Sequence, residues 1–389
     1  MIKKSLAALA VLGAFSGSAL AADVTIYGVA DAGLLYKNEK FSNNYGDTIK
    51  SHSFGLESGV GASSRFGLTG TEDLGNGLKV GFKLENSFNT DDGTLGDGRL
   101  FGREASASVY GDFGTISMGR MGGVGSSAGT YNLFTANADA FDGGNNGIIG
   151  FMLTDRYDNM ITYQTPNFGG VQATFQYSFK GNNQEDAKLQ ADGFYDAATG
   201  REGSASSDRY ASFGLTGSFG ALNTVLTYEY LNWASNNGKN LRNADVQDGQ
   251  IFSLGGNYDF GAAKAFVAAQ YFKGLSLGKD VLTGSKPQGY EGVTYGKGYA
   301  LGLGMIMNVA GGDLTSALYY RDYDQEWDAF VETDQAKYYG LTVKYEYPLS
   351  KRTSVYTGAG YAEEKITSVD DYESKKKISQ AFVGLTHKF

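Results

Sequence analysis

The stretch Val171-Gln172-Ala173-Thr174-Phe175-Gln176-Tyr177-Ser178-Phe179 decides the fold. Successive side chains of a β-strand point to opposite faces. Val171, Ala173, Phe175, Tyr177 and Phe179 therefore share one face, and Gln172, Thr174, Gln176 and Ser178 share the other. One face is apolar and the other hydrated. Similar segments recur along most of the chain, separated alternately by tight turns and long polar stretches. Such a chain needs either a shared oily core or lipid outside and water inside.

The 389 residues show no composition shift, and the three prolines form no linker, so one large closed all-β unit is expected. Cysteine is absent, which excludes thiolate metal sites and thiol nucleophiles but does not argue against export. Lys3 and Lys4, the apolar run from Leu6 to Phe15, and Ala19-Leu20-Ala21 read as a secretory signal. The apolar run is too short to cross about 30 Å of hydrocarbon as a helix. Residues 1–21 are thus expected to be cleaved, leaving 22–389 as the mature domain. Beyond them no long apolar run exists, so a membrane location requires a closed β-barrel. The 33 basic and 42 acidic residues argue against a nucleic-acid partner, whose phosphates need a basic surface.

Alternation and turn chemistry give about sixteen strands in a long–short rhythm. The first runs near 24–36 and is followed by a polar segment. The next three lie near 59–69, 78–88 and 100–110. Short turns fall at Asp73-Leu74-Gly75-Asn76-Gly77, Gly111-Asp112-Phe113-Gly114, Pro166-Asn167-Phe168-Gly169-Gly170, Phe219-Gly220, Asp259-Phe260-Gly261, Ala310-Gly311-Gly312-Asp313 and Pro348-Leu349-Ser350-Lys351. The longest connections span 121–157, 181–207, 234–249 and 274–296. Short turns at one end and long loops at the other match an outer-membrane barrel. Phe and Tyr near strand ends, among them Phe113, Phe219, Tyr258, Phe260, Tyr271, Phe272 and Tyr347, together with Trp233, would form girdles at the two interfaces.

Several motifs carry a resemblance. Ala22-Asp23-Val24-Thr25-Ile26-Tyr27-Gly28 resembles the first strand of the general porins of β-proteobacteria, the neisserial and Burkholderia-type trimeric group. Residues Ser64 to Lys79 are the strongest match, and Leu100 to Ala105, Gly111 to Ile116 and Pro166 to Gly170 follow the same pattern. Val383 to Phe389 looks like the family's final strand. The resemblance spans the mature chain and is weakest in the long loops. It implies a 16-stranded antiparallel transmembrane β-barrel, a homotrimer, and a third loop, here 121–157, folded inward as a constriction. It implies passive diffusion of ions and small hydrophilic solutes, without cofactor. It also implies that Phe389 is the aromatic end read by the barrel-insertion machinery.

A pore selects by width and by lining charge. Phe66 and Leu68 point outward, so Arg65 points inward; Val80, Phe82 and Leu84 point outward, so Lys83 and Glu85 point inward. A charge on the lipid face would cost roughly 2–4 kcal/mol near mid-membrane, which assigns these residues to the lumen. Arg65 and Arg103 match the family's basic wall positions, and Arg156 resembles a third. Arg120 opens the loop with its direction open. Asp139, Asp142 and Asp155 are the acidic candidates facing them. The arginines either line the eyelet or pin the loop, and both roles can hold together.

Other signals carry less. Gly123-Val124-Gly125-Ser126-Ser127-Ala128 fits a relaxed dinucleotide pattern but lacks a βαβ context. His52, expected in an early loop, and His387, in the last strand, make no metal cluster. Asp370 to Lys377 is a charge run on a solvated face. Lipopolysaccharide is an expected neighbour. The competing classes are a substrate-selective channel for a sugar or organic acid, a surface adhesin, and an enzyme built on either histidine.

Overall fold

The computed structural model describes residues 23–144, 148–181, 202–203, 207–232, 248–276, 294–327, 333–368 and 371–389. The leader, Trp233 and most of the loops at 181–207, 234–249 and 274–296 lie outside the described residues. The first seven strands are β1 (Asp23–Asn43), β2 (Thr48–Ser58), β3 (Arg65–Gly75), β4 (Leu78–Ser87), β5 (Glu104–Gly111), β6 (Gly114–Gly122) and β7 (Arg156–Gln164). Next come β8 (Val171–Ser178), β9 (Arg209–Phe219), β10 (Leu222–Asn232), β11 (Gly249–Asp259) and β12 (Ala263–Ser276). The last are β13 (Thr294–Val309), β14 (Gly312–Trp327), β15 (Thr333–Pro348), β16 (Thr353–Thr367) and β17 (Glu373–Lys388). One short helix, α1 (Phe134–Ala138), lies between β6 and β7.

Among the described residues all pairings between these strands are antiparallel, and β17 closes on β1 in the register Leu34↔Val383. The Phe389 N–H donates to the Gly28 carbonyl at 3.1 Å, and the Gly28 N–H donates back at 3.0 Å, finishing the seam. The upper half of β1 pairs with β2 and the lower half with β3. β2 and β3 are therefore one interrupted strand, and the closed barrel has sixteen. Asp31 holds the interruption in place. Its buried carboxylate accepts from the Tyr356 hydroxyl at 2.8 Å, the Gly61 N–H at 3.0 Å and the Thr386 hydroxyl at 2.5 Å.

The choice between oil inside and oil outside is decided on β8. Phe175 is 48% and Tyr177 36% exposed, while Thr174, Gln176 and Ser178 are buried. A soluble sandwich has the reverse arrangement. The same inversion recurs on β13 to β15, where Leu301, Leu303, Leu318, Leu341 and Val343 are exposed. The short turns fall where the sequence places them; Asn76 (φ 52°) and Ala310 (φ 50°) adopt the left-handed backbone these turns require.

Four expectations need correction. β1 does not stop near Tyr36 but runs to Asn43 and turns back within four residues. The second strand does not start at Gly59: it begins at Thr48, is interrupted at 59–64, where the chain wraps around Asp31, and resumes at Arg65. His52 lies on β2, not in a loop. Phe272 is fully buried and faces inward, packing near the Tyr323 ring at 6.1 Å, so it belongs to no girdle.

The lumen is not uniformly wet. The chain between β6 and β7 folds inward and packs Leu133, Phe134, Ile148 and Phe151 against Val225, Ala268, Ala300, Tyr319 and Tyr338 of the wall. Phe134 and Phe151 meet edge to face at 5.1 Å, as do Phe151 and Tyr319 at 5.5 Å. Each such ring contact contributes about 0.5–1.5 kcal/mol beyond its buried area. Glycines on the wall make room: a Cβ on Gly302 would stand 2.3 Å from the Phe151 ring, and one on Gly255 would stand 2.5 Å from Ala138.

Candidate functional site: the lumen wall and its inward loop

Strands β3 to β7 present one connected array of charges to the lumen. Glu85 on β4 and Glu104 on β5 lie directly opposite in the ladder. Two carboxylates so placed repel each other unless cations separate them. Arg103 supplies one, its Nε 2.6 Å from Glu85 Oε1; Lys83 supplies the other, its Nζ 2.9 Å from Glu104 Oε2. The Tyr27 hydroxyl donates to Glu85 at 2.8 Å, and Arg65 Nε lies 4.0 Å from the same carboxylate. Arg65 also donates to the Ser63 carbonyl at 2.8 Å.

Farther round the wall, Asp158 accepts from Arg99 at 2.7 Å and Arg120 at 2.8 Å. Arg120 also donates to the Gly102 carbonyl at 2.8 Å, so its uncertain direction resolves toward β5 and β7. A register shift between Gly119 and Met121, opposite Asn159 (φ 51°), marks this point of the ladder. Arg156 holds Asp97 at 3.8 Å and Asp155 at 3.7 Å. Arg65 and Arg156 each feel the charge of Arg103, and Arg156 also feels Arg120. The four arginines expected from the sequence therefore form one electrostatic group.

Exposure sorts this group. In the pairs of Arg65 and Lys83 the cations are 29% and 26% exposed, while their partners Glu85 and Glu104 are 6% and 2% exposed. The cationic side chains are the more open member of each pair, and the carboxylates are nearly covered. Arg103, at 9%, is mostly covered and acts chiefly on Glu85.

The inward loop runs from Gly123 to Asp155 and is fastened at many points. The Thr130 N–H and hydroxyl donate to Glu104 at 3.1 and 2.8 Å. The Tyr210 hydroxyl donates to Glu229 at 2.6 Å, and the Thr154 hydroxyl does so at 2.5 Å. Gln270 exchanges two hydrogen bonds with the Met152 backbone at 2.8 and 2.9 Å. Arg321, fully buried between the Tyr323 and Tyr338 rings, donates to the Gly150 carbonyl at 3.2 Å and pairs with Glu364 at 3.3 Å.

The three acidic candidates separate. Asp142 is exposed to the lumen, accepts from Asn132 at 2.6 Å and Thr135 at 2.9 Å, and is coupled to Arg65. Protein crowding around it raises its pKa above the usual aspartate value, while those two hydrogen bonds and the Arg65 charge pull the other way. Asp139 does not face the arginines. It is buried, accepting from Tyr319 at 2.6 Å and the Gly143 N–H at 2.7 Å, and burial raises its pKa. Asp155 is 79% exposed beside Arg156.

Sequence reasoning missed Glu104, Arg99, Asp158, Glu229 and Arg321. Alternation held a signal for Arg321: Leu318 and Tyr320 face out, so Tyr319, Arg321 and Tyr323 face in. Arg99 and Asp158 had none, since a connection and a ladder irregularity place them.

Among the described residues no cluster of potential metal ligands forms. The arrangement can admit water and sort ions by charge. The model of the Gram-negative porin family matches residues 8–367. An outer membrane porin protein of Bordetella pertussis is 32% identical over the full length of both chains. The solved anion-selective porin from Comamonas acidovorans is 25% identical, with a TM-score of 0.60 over 95% of this chain and all of that one. The trimer form of OmpT from Vibrio cholerae, 17% identical with a TM-score of 0.52, covers 93% of this chain and 99% of its own and shares the fold. A barrel with an apolar exterior, a charged lumen and these relatives has one assignment: the chain belongs to the Gram-negative porin family and is a non-enzymatic diffusion channel of the outer membrane.

Proposed function

We propose that this porin passes small hydrophilic solutes with a preference for anions, set by Arg65 and Lys83. The observation that carries the reading is their exposure above nearly buried carboxylates. An ion in a narrow aqueous passage responds to the charge nearest it. Arg103, Arg120 and Arg156 hold the wall, Asp142 sets the acidic side, and Asp155 borders Arg156. The test is the reversal potential of the purified protein in a bilayer under a salt gradient. An anion-selective sign supports the reading; a cation-selective sign refutes it.

The assembly proposed is a homotrimer. Its support is the wall at β2 and β5: Ala105 and Ala107 point outward, and β2 has a ladder on only one edge. Residues 1–21 are proposed as the cleaved leader and 22–389 as the mature domain, in which 121–157 narrows the pore. Phe389, 47% exposed at the seam, is proposed as the signal for the insertion machinery. Lipopolysaccharide is the proposed lipid neighbour.

A further inference from the structure

We infer that a row of uncharged hydroxyl and amide side chains on β9, β10 and β11 is a contact site for neutral polyhydroxyl solutes leaving the eyelet. The inference rests on the reading of the chain as a pore for small hydrophilic solutes; it names one solute class and the wall that takes it.

Cross-strand register sets Ser218 opposite Asn223, and Asn223 opposite Asn257. The three side chains are joined in one direction. The Ser218 hydroxyl donates to Asn223 Oδ1 at 2.8 Å, Asn223 Nδ2 donates to Asn257 Oδ1 at 3.0 Å, and Asn257 Nδ2 donates to the Asn137 carbonyl at 2.7 Å. Asn137 lies in α1, and its own amide donates to the Leu133 carbonyl at 2.8 Å. The row therefore runs from the short-turn rim, where Ser218 is exposed, up to the inward loop. Only its last bond touches that loop. Among the described residues Ser218 and Asn223 make no hydrogen bond with it, so within the row Asn257 alone moors α1.

Charge marks this sector off from the rest of the lumen. Alternation turns Gln172 and Thr174 on β8, Thr216 and Ser218 on β9, Asn223 on β10 and Asn257 on β11 inward, and all six are uncharged. β11 stands eight strands round from β3, halfway about the closed ring. A solute that has passed Arg65 and Lys83 on one side meets the neutral row on the other.

The direction of the bonds decides what is favoured. Each bond in the row uses an N–H or O–H, whereas Ser218 Oγ and Asn137 Oδ1 keep lone pairs that no hydrogen bond among the described residues takes up. Gln172 is alike: its Nε2 donates to the Thr165 carbonyl at 2.9 Å, and its Oε1 is left to accept. The wall thus offers the lumen more acceptors than donors. Hydroxyl groups bring donors to it, and ether oxygens only accept. A polyol that gives up part of its hydration shell regains hydrogen bonds here, and a polyether regains fewer.

The test is swelling of liposomes carrying the refolded porin, with the rate of protein-free liposomes subtracted. The probes are a pentitol and triethylene glycol, which are alike in mass and differ in hydroxyl number. The pentitol-to-glycol rate ratio of wild type should exceed that of S218A/N223A by about threefold, the effect of one ordinary hydrogen bond. S218T/N223Q keeps a hydroxyl and an amide and should retain the wild-type ratio. Equal ratios in wild type and S218A/N223A would overturn the inference, as would an S218T/N223Q ratio no higher than that of the alanine variant. If neither solute enters wild-type vesicles, the diffusion reading itself fails. Unchanged single-channel conductance in potassium chloride shows that both variants have folded. Their reversal potentials should equal that of wild type, because no charge has been altered; the anion preference can therefore fail while the polyol preference stands.

Discussion

Arg103 Nε lies 2.6 Å from Glu85 Oε1, with both side chains less than a tenth exposed. This buried pair sits under the open cations and keeps Glu85 from presenting its charge to the lumen. Breaking such a pair by removing one partner leaves an uncompensated charge. Arg103→Met should therefore cost about 3–5 kcal/mol of barrel stability, read by denaturant unfolding in detergent. The double variant R103M/E85Q should recover most of the loss. A single variant as stable as wild type would remove the pair from the account.

Arg65 and Lys83 should carry the ion preference. Arg65→Gln with Lys83→Gln keeps a donor for Glu104 while removing both open charges. The anion-to-cation permeability ratio should fall by about fivefold, the effect of roughly 1 kcal/mol for a unit charge 4 Å away in water. An unchanged reversal potential would mean that other residues set the filter.

Arg321 is fully buried, so it cannot sort ions directly. It holds the loop through the Gly150 carbonyl and the wall through Glu364. R321M/E364Q removes the anchor without stranding a charge. The expected result is a larger, noisier single-channel conductance with the reversal potential unaltered. A wild-type conductance trace would assign the anchoring to the other fastenings, at Gln270, Glu229 and Glu104.

Acid should strengthen anion preference. The raised pKa of Asp142 means that its negative charge disappears above the ordinary carboxylate value of about 3.9 as pH falls. Losing that charge from the lumen favours anions. The linkage sign follows: a carboxyl with a raised folded pKa binds its proton more readily in the folded loop. Asp139 and Asp142 therefore add stability as pH falls through their raised values, and the gain levels off at the unfolded value. In Asp142→Asn the pH-dependent part of the reversal potential in that window should shrink; an unaltered profile would exclude Asp142.

Strand alternation made the barrel legible, because a period of two needs only neighbouring residues. Phe175 and Gln176 reveal opposite faces without any knowledge of what surrounds them. The end of β1 was harder. Residues 37–43 are polar on both faces apart from Phe41, since the strand rises above the hydrocarbon, and such polarity reads as loop. The break at 59–64 depends on Asp31 meeting Tyr356 and Thr386, which lie 325 and 355 positions farther along the chain. Arg65 and Arg103 were readable from alternation and motif. Asp139 was not, because its orientation is set by Tyr319 across the lumen. Gly302 and Gly304 permit the close approach of Phe151 and Ala140 of the inward loop.

The central claim is that water fills the inside at Lys83 while apolar side chains such as Leu341 face lipid. The chain has no cysteine, so single thiols can be placed at will. Lys83→Cys and Leu341→Cys should be treated in a planar bilayer with a charged, membrane-impermeant thiol reagent. Reaction at 83 should change the single-channel conductance within seconds to minutes, and 341 should stay inert. Rapid modification at 341 with none at 83 would contradict the account.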